Sequence, residues 1–152
     1  WVYLTSCAAL AAVTSSNTVG LDAMFFVGFG IWAFGFAIEV IADRQKTVFR
    51  ADPDNADKFI KTGLWAWSRH PNYFGEILLW AGIAVMAYPA LVGWRALTLL
   101  APIWVVLQMT AISGTRMLEA RANKTWGSDP EYQAYKKSTP LLMLWPPRKQ
   151  AS

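Results

Sequence analysis

The chain has 152 residues, enough for one ordinary domain, and carries a formal net charge of +4. Hydrophobic residues make up 55% of it and charged residues only 16%, whereas about 25% of the residues in a typical globular protein are charged. This composition argues against an ordinary water-soluble domain, and the single cysteine, Cys7, excludes an internal disulfide bond.

Four apolar segments predict membrane-spanning helices. Residues 1–13 are too short to span alone and are interpreted as the end of a span. Residues 19–41, 73–89 and 94–113 approach the length of about 20 residues that a span requires. The glycines of residues 28–35 have no strand before them, so they favour close helix packing over a dinucleotide-binding loop.

These segments predict an all-α fold, a multi-pass transmembrane bundle with about four spans, the first one partial. Because Trp1 already lies within an apolar run, we expect residues 1–152 to be a single membrane domain that forms the C-terminal part of a longer protein. The alternative is a buried all-helical core. Runs of this length with so few charges suit lipid better than water.

The basic residues are distributed unevenly between the predicted connections. Residues 43–70 contain six of the 14 basic residues, the tail from residue 114 contains seven, and the opposite connections contain only Arg95. The positive-inside rule therefore predicts that residues 43–70 and the tail face the cytoplasm. This topology accounts for the net charge without a nucleic acid partner.

The cytoplasmic segments have local signals of their own. Residues 51–59 begin as a turn, and Trp65 and Trp67 suit the membrane–water interface. In the tail, residues 114–127 predict a helix that extends the last span, with Gly127 able to end it. Residues 128–140 predict a second short helix, which Ser128 or Asp129 would cap and Pro130 would begin.

Ionisable and polar side chains recur at the cytoplasmic ends of the predicted spans. Such residues are costly in membranes, and their spacing of three or four places each pair on one helix face. Three helices could bring the pairs around one pocket. The pairs are Glu39 with Asp43, Asn72 with Glu76, and Arg116 with Glu119.

The stretch "WSRHPNYFGE" (67–76) holds the only histidine and the densest polar cluster. Pro71 fits the first turn of a helix, whose N-terminus favours anions. This helix N-terminus, together with the side chains of Arg69, His70, Asn72 and Glu76, suits a phosphate, pyrophosphate or carboxylate group of a soluble ligand. The alternative is a juxtamembrane anchor, in which Arg69 and His70 meet lipid headgroups.

Three blocks of the chain resemble the C-terminal domain of the steroid 5-alpha-reductase superfamily, in particular its little-characterised bacterial branch. The blocks are "EVIADRQKTVFR" (39–50), "GLWAWSRHPNYFGEILLW" (63–80) and "LEARANKTWGSDPEYQAYKKSTPLL" (118–142). Their order and spacing agree over roughly residues 25–147, and sterol reductases share the "RHPNY" block.

The resemblance implies an integral membrane enzyme that uses NADPH from the cytoplasmic side to reduce an activated C=C bond in a lipid, typically a 3-oxo-4-ene steroid. It implies a bacterial inner membrane, or the endoplasmic reticulum in a eukaryote, and no metal. The Glu and Tyr that hold the substrate carbonyl are expected on earlier helices, absent from this chain. Asn72 and Glu76 match positions at the nicotinamide ribose and carboxamide, and Lys61 and Arg69 match positions near the phosphates.

Further cofactor-binding positions follow from the same blocks. His70 either touches the cofactor or packs in the turn, and Arg116 is included as the partner of Glu119 in its polar pair. The remaining matches to cofactor-contacting positions are Asp43, Arg50, Glu119, Tyr132 and Tyr135.

A second family shares part of this pattern. Isoprenylcysteine carboxyl methyltransferases and phospholipid methyltransferases, which bind S-adenosylmethionine, resemble the chain in an "RHP-x-Y-x-G" turn, an acidic residue on the last helix and a "Y-x-x-Y" tail. Asn72 before Tyr73, Glu76 after the glycine and the "EVIADRQK" block favour the reductase. A non-catalytic membrane or scaffold role is the third alternative.

Overall fold

A computed structural model of the chain describes residues 21–112 and 114–146. This part is helical and contains no β-strand, so the predicted all-α class is confirmed. Short 3₁₀ segments connect the helices, and a π-helical turn covers Gln108–Ile112. The α-helices described are α1 (Ala23–Ala51), α2 (Pro71–Ala87), α3 (Leu100–Leu107), α4 (Gly114–Trp126) and α5 (Pro130–Ser138).

Two helical segments, Ala23–Ala51 and Pro71–Ala90, are long and apolar enough to cross a membrane. Only 17% and 28% of their most apolar stretches are buried, so these helices do not form the interior of a soluble core within the described residues. They correspond to the predicted spans 19–41 and 73–89. Helix α1 continues ten residues past the predicted end of its span, to Ala51.

The other two predicted spans are not confirmed. Residues 1–13 lie outside the described part of the chain. Residues 94–113 contain a 3₁₀ segment, the short helix α3 and the π-helical turn in succession rather than one regular helix. Pro102 lies in the first turn of α3, the position where its missing N–H breaks no helical hydrogen bond.

Helices α1 and α2 form an antiparallel hairpin that packs through glycines spaced seven residues apart on each helix. A Cβ atom on Gly35 would lie 2.6 Å from the carbonyl oxygen of Gly75, and one on Gly75 would lie 2.6 Å from that of Gly35. Gly28 and Gly82 face each other in the same way, at 2.7 and 2.6 Å. The predicted close packing is confirmed for Gly28 and Gly35, because only a hydrogen atom fits between these backbones.

The connection from α1 to α2 folds against the end of α1. Gly63 has a φ of +61°, which favours glycine, and the next amide, of Leu64, donates to Gln45 Oε1 at 3.0 Å. The Trp65 indole N–H donates to the carbonyl of Ala42 at 3.0 Å, and Trp65 is only 5% exposed. Trp65 is thus packed against α1, whereas Trp67 is 45% exposed, and the interfacial position expected for both stays a prediction.

The tail forms the two predicted helices. Helix α4 ends at Trp126, next to Gly127, and the Asp129 side chain caps α5 by accepting the Glu131 amide at 2.8 Å. An aromatic cluster fixes α4 and α5 onto the connection, with ring centroids 5.2 to 6.1 Å apart along its contacts. Its members are Phe59, Trp126, Tyr132 and Tyr135.

Candidate functional site

The start of α2 is the centre of the candidate site. Pro71 is the first helical residue, as predicted, and the N-cap residue His70 makes no side-chain capping bond. The 17-residue helix therefore presents amide groups at its first turn that the His70 side chain does not satisfy. With the helix dipole, these amides favour a negatively charged or hydrogen-bond-accepting group.

Glu119 of α4 lies beside the start of α2 and contacts basic side chains from the turn before α2 and from α5. It forms an ion pair with Arg69, and its Oε1 lies 3.1 Å from His70 Nε2. From α5, the Lys136 ammonium lies 3.8 Å from Oε2 of the same carboxylate. The His70 ring is buried and stacks on Tyr73, with ring centroids 5.7 Å apart.

The charges of this cluster do not cancel. Two permanent cations, Arg69 and Lys136, share the single carboxylate of Glu119. Burial by itself raises the pKa of Glu119, but the hydrogen bond from His70 and the neighbouring cations outweigh it, so its pKa lies below the usual value. The carboxylate is therefore ionised at neutral pH, and the cluster keeps an excess of positive charge.

Two buried polar atoms in the described residues have no hydrogen-bond partner. They are Arg69 Nε, a donor, and Asn72 Oδ1, an acceptor. Such atoms are rare in folded proteins because each costs roughly 1–3 kcal/mol when it is left unpaired. Their position at the start of α2 indicates a ligand that offers both an acceptor and a donor.

A second group, of carboxylates, lies where α1 and α2 pack together. Glu39, Asp43 and Glu76 are close enough for their charges to interact, and the Trp80 side chain lies near Glu76. The structure thus brings the predicted pair Glu39 and Asp43 together with Glu76 of a second predicted pair. No three acidic, His or Cys side chains in the described residues are arranged to hold a metal ion.

The third predicted pair does not act together. Glu119 belongs to the cluster at the start of α2, whereas Arg116 is exposed and donates to the carbonyl of Ala111 at 3.2 Å. Arg50 is exposed in the last turn of α1. Lys61 forms an ion pair with Glu131 on the surface, so its charge is already balanced.

The two tyrosines of the tail are structural neighbours of the cluster. Tyr132 is buried in the aromatic cluster, and Lys136 lies 5.9 Å from the centre of its ring. The Tyr135 hydroxyl donates to the carbonyl of Trp65 at 2.7 Å. Burial is the main cause that raises the pKa of both hydroxyls, so both are neutral at physiological pH.

The chain after α5 is bonded to the turn that precedes α2. We call residues 139–146 the strap. The Arg69 amide donates to Pro140 O at 2.9 Å, and the Trp145 amide donates to Trp67 O at 3.1 Å. Ser68, fully buried, donates its hydroxyl to Leu142 O at 2.9 Å and accepts the His70 amide at 3.2 Å.

Two residues of the site were not among the predicted ones. Lys136 could have been found, because its spacing of four from Tyr132 places both on one face of α5. Nothing in the sequence indicated a role for Ser68, since a serine before an arginine belongs to no recognised motif. Its role depends on the strap, 74 residues later in the chain.

Comparison with known proteins places this site in a family context. A family model described as "Protein of unknown function (DUF1295)" matches residues 1–139. Human 3-oxo-5-alpha-steroid 4-dehydrogenase 1 is 34% identical over 86 residues, 57% of this chain and 31% of that protein. Steroid 5-alpha-reductase DET2 of Gossypium hirsutum is 36% identical over 64 residues, 42% of this chain and 25% of that protein.

A fission yeast protein covers more of the chain. The uncharacterized protein C594.04c of Schizosaccharomyces pombe is 26% identical over 155 residues, 88% of this chain and 43% of its own length. The chain therefore spans less than half the length of these curated relatives. No solved structure matches it.

Proposed function

Because the chain belongs to the DUF1295 family and has steroid 5-alpha-reductases among its relatives, we propose that it is the cofactor-binding part of a membrane-embedded reductase. The cofactor is NADPH, and the substrate is a lipid with an activated C=C bond, most simply a 3-oxo-4-ene steroid. The observation that carries the cofactor assignment is the pair of unpaired buried atoms, Arg69 Nε and Asn72 Oδ1, beside an excess of positive charge.

The residues at the start of α2 fit a dinucleotide chemically. Phosphate groups accept hydrogen bonds and carry negative charge, which suits Arg69, Lys136 and the amides of the first turn. The ribose hydroxyls and the nicotinamide carboxamide donate hydrogen bonds, which suits Asn72 Oδ1 and the carboxylate of Glu76. The ion pair with Glu119 holds Arg69 in one place, so that its unpaired Nε is positioned before a ligand arrives.

When bound, the nicotinamide supplies a hydride to the β-carbon of the activated double bond. The chain's own part is to bind and orient the cofactor. Asn72 and Glu76 share one face of α2, so both would contact the same half of the cofactor. The strap and the aromatic cluster keep the turn before α2 in a fixed conformation.

The position of the site supports a lipid substrate. The cluster lies at the N-terminal end of α2, a helix that can cross a membrane. A cofactor held there would meet a substrate dissolved in the bilayer. We propose that this end faces the cytoplasm, where the dinucleotide is available. The groups that hold the substrate carbonyl are proposed to lie on other helices of the whole protein.

Cofactor binding by the full-length protein in nanodiscs tests the proposal. We expect NADPH to bind, and Asn72→Ala and Arg69→Ala to weaken binding about tenfold each, because a lost hydrogen bond to a charged or buried partner costs on the order of 1–3 kcal/mol. Lys137→Ala is the control and should bind like the wild type, since Lys137 is an exposed residue of α5 outside the cluster. Thermal melting checks that each variant folds.

Two outcomes would contradict this assignment. Tight binding of S-adenosylmethionine without NADPH binding would indicate a methyltransferase, which shares the "RHP-x-Y-x-G" turn. If all folded variants bind NADPH like the wild type, the cluster serves another purpose, such as an anchor at lipid headgroups.

A further inference from the structure

The strap exposes an apolar face. Its backbone is not helical and bends at residues 141–143, and exposure alternates along residues 141–145. Met143 is 60% and Trp145 63% exposed, and Leu141 is exposed as well, while Leu142 and Leu144 between them are more buried. We refer to these three exposed side chains as the apolar face of the strap.

The turn before α2 adds a fourth apolar side chain to this face. The backbone of Trp145 is bonded to that of Trp67, and Trp67 is itself exposed. Two tryptophans, a methionine and a leucine thus remain uncovered in the described structure, beside a turn that is otherwise polar. An apolar group of this kind on a protein surface marks a site of interaction.

The position of the apolar face indicates that membrane lipid is what it contacts. Trp67 precedes the start of α2 by four residues, and α2 begins one of the two helices that can cross a membrane. Exposed apolar side chains also lie on α1, for example Val40 and Ile41. Since that surface is suited to lipid, the strap lies where the bilayer's interfacial region begins.

We propose that the strap docks onto the membrane, with Leu141, Met143, Trp145 and Trp67 inserted at the boundary between headgroups and acyl chains. Tryptophan is enriched at this boundary because its ring is apolar and its N–H is polar. Exposed basic residues of the last turns of α1, Arg44 and Arg50, lie at the same end of the hairpin and suit anionic headgroups. The proposal does not depend on the function proposed above.

An environment-sensitive fluorophore tests this docking. The full-length protein, with its native cysteines replaced by serine, receives a single cysteine by Met143→Cys and is labelled with NBD in nanodiscs. The matched control is Lys137→Cys, an exposed position on α5. Phosphatidylcholine spin-labelled at acyl carbon 5 quenches a fluorophore in the upper acyl region, and iodide quenches one in water.

We expect the spin-labelled lipid to quench NBD at position 143 at least twofold more than at position 137, with the opposite order for iodide. Trp145→Cys provides a second position on the same face, should the label at 143 disturb the fold. Iodide quenching at 143 and 145 as strong as at 137 would overturn the proposal. Protection from both quenchers would overturn it too, because the face would then be covered by protein, either a second copy or another segment of the whole chain.

Discussion

The α1–α2 hairpin and the cluster around Glu119 are held together by different means. In the hairpin, Gly35 meets Gly75 and Gly28 meets Gly82, so that backbone packs directly on backbone. In the cluster, side-chain contacts join Glu119 to Arg69 and His70, which lie 50 and 49 positions away in the chain. The first region depends on the absence of side chains, and the second depends on specific ones.

This difference follows from the surroundings of each region. Lipid is as apolar as a leucine side chain, so helices within a membrane gain little from burying apolar groups and associate by close packing. At the polar end of the hairpin, charged groups can be solvated in part, and pairing them fixes their positions. Substitutions that remove a charge should therefore affect the cluster, and substitutions that add volume should affect the hairpin.

The largest effect is expected from Glu119→Ala. Removing the carboxylate leaves Arg69 and Lys136 without their shared partner. The expected cost is about 3 kcal/mol, the lower end of the range for a broken buried ion pair, because this pair is only partly buried. The control is Glu131→Ala, which removes a surface pair with Lys61 that is worth about 0–1 kcal/mol. Thermal melting in detergent should show a clearly lower Tm for the first variant only, and equal melting temperatures would refute the central role of Glu119.

A methyl group added to the hairpin should have the next largest effect. Gly35→Ala places a Cβ 2.6 Å from a backbone oxygen and 2.7 Å from a backbone nitrogen of α2, so the helices must separate, at a cost of about 1–3 kcal/mol. Gly30→Ala is the matched control, since its Cβ meets nothing within 4 Å. It should stabilise the helix by roughly 0.5–1 kcal/mol. Opposite shifts in Tm support the glycine packing, and equal shifts contradict it.

Ser68→Ala should cost about 1–2 kcal/mol, because it leaves the carbonyl of Leu142 and the amide of His70 without their common partner. Ser138→Ala removes a hydroxyl that bonds only within the last turn of α5, and its effect should be below about 0.5 kcal/mol. Limited proteolysis compares how readily the strap is cleaved in the Ser68→Ala and Ser138→Ala variants. If both variants are cleaved at the wild-type rate, Ser68 does not hold the strap.

The smallest expected effect is a pH dependence of stability. Because the pKa of Glu119 is lower in the folded state, its ionised form stabilises the fold above the unfolded value of about 4.3. That stabilisation is lost as the pH falls through the folded pKa. Melting temperatures of wild type and Glu119→Gln should therefore converge between about pH 5 and pH 3. A constant difference between wild type and Glu119→Gln would contradict the lowered pKa.

Local features were predictable from the sequence. Pro71 marks the start of α2 because its ring fits only the first turn, and Asp129 caps α5 through its own neighbour. The predicted span ends at residue 41, whereas α1 continues to Ala51, since hydropathy reports where lipid ends and not where a helix ends. Residues 42–51 contain no glycine or proline and therefore continue the helix.

Features that depend on distant partners were not predictable. Nothing near Trp65 in the sequence indicates that its N–H reaches a carbonyl of α1 or that its ring is buried. The roles of Ser68 and Lys136 exist only because the strap and α5 return to the turn before α2. A single sequence carries no record of such pairings.

The strap also has a consequence for the order in which the protein is made. Helices α1 and α2 are adjacent in the chain and can pair as soon as both have been synthesised. The turn between them reaches its final hydrogen bonds only when Pro140, Leu142 and Trp145 have followed, about seventy residues later. Glu119 follows about fifty residues after Arg69, and the strap follows later still. The candidate site is therefore the last part of the described chain to be completed, and a ribosome that stops before residue 139 releases a chain without the strap.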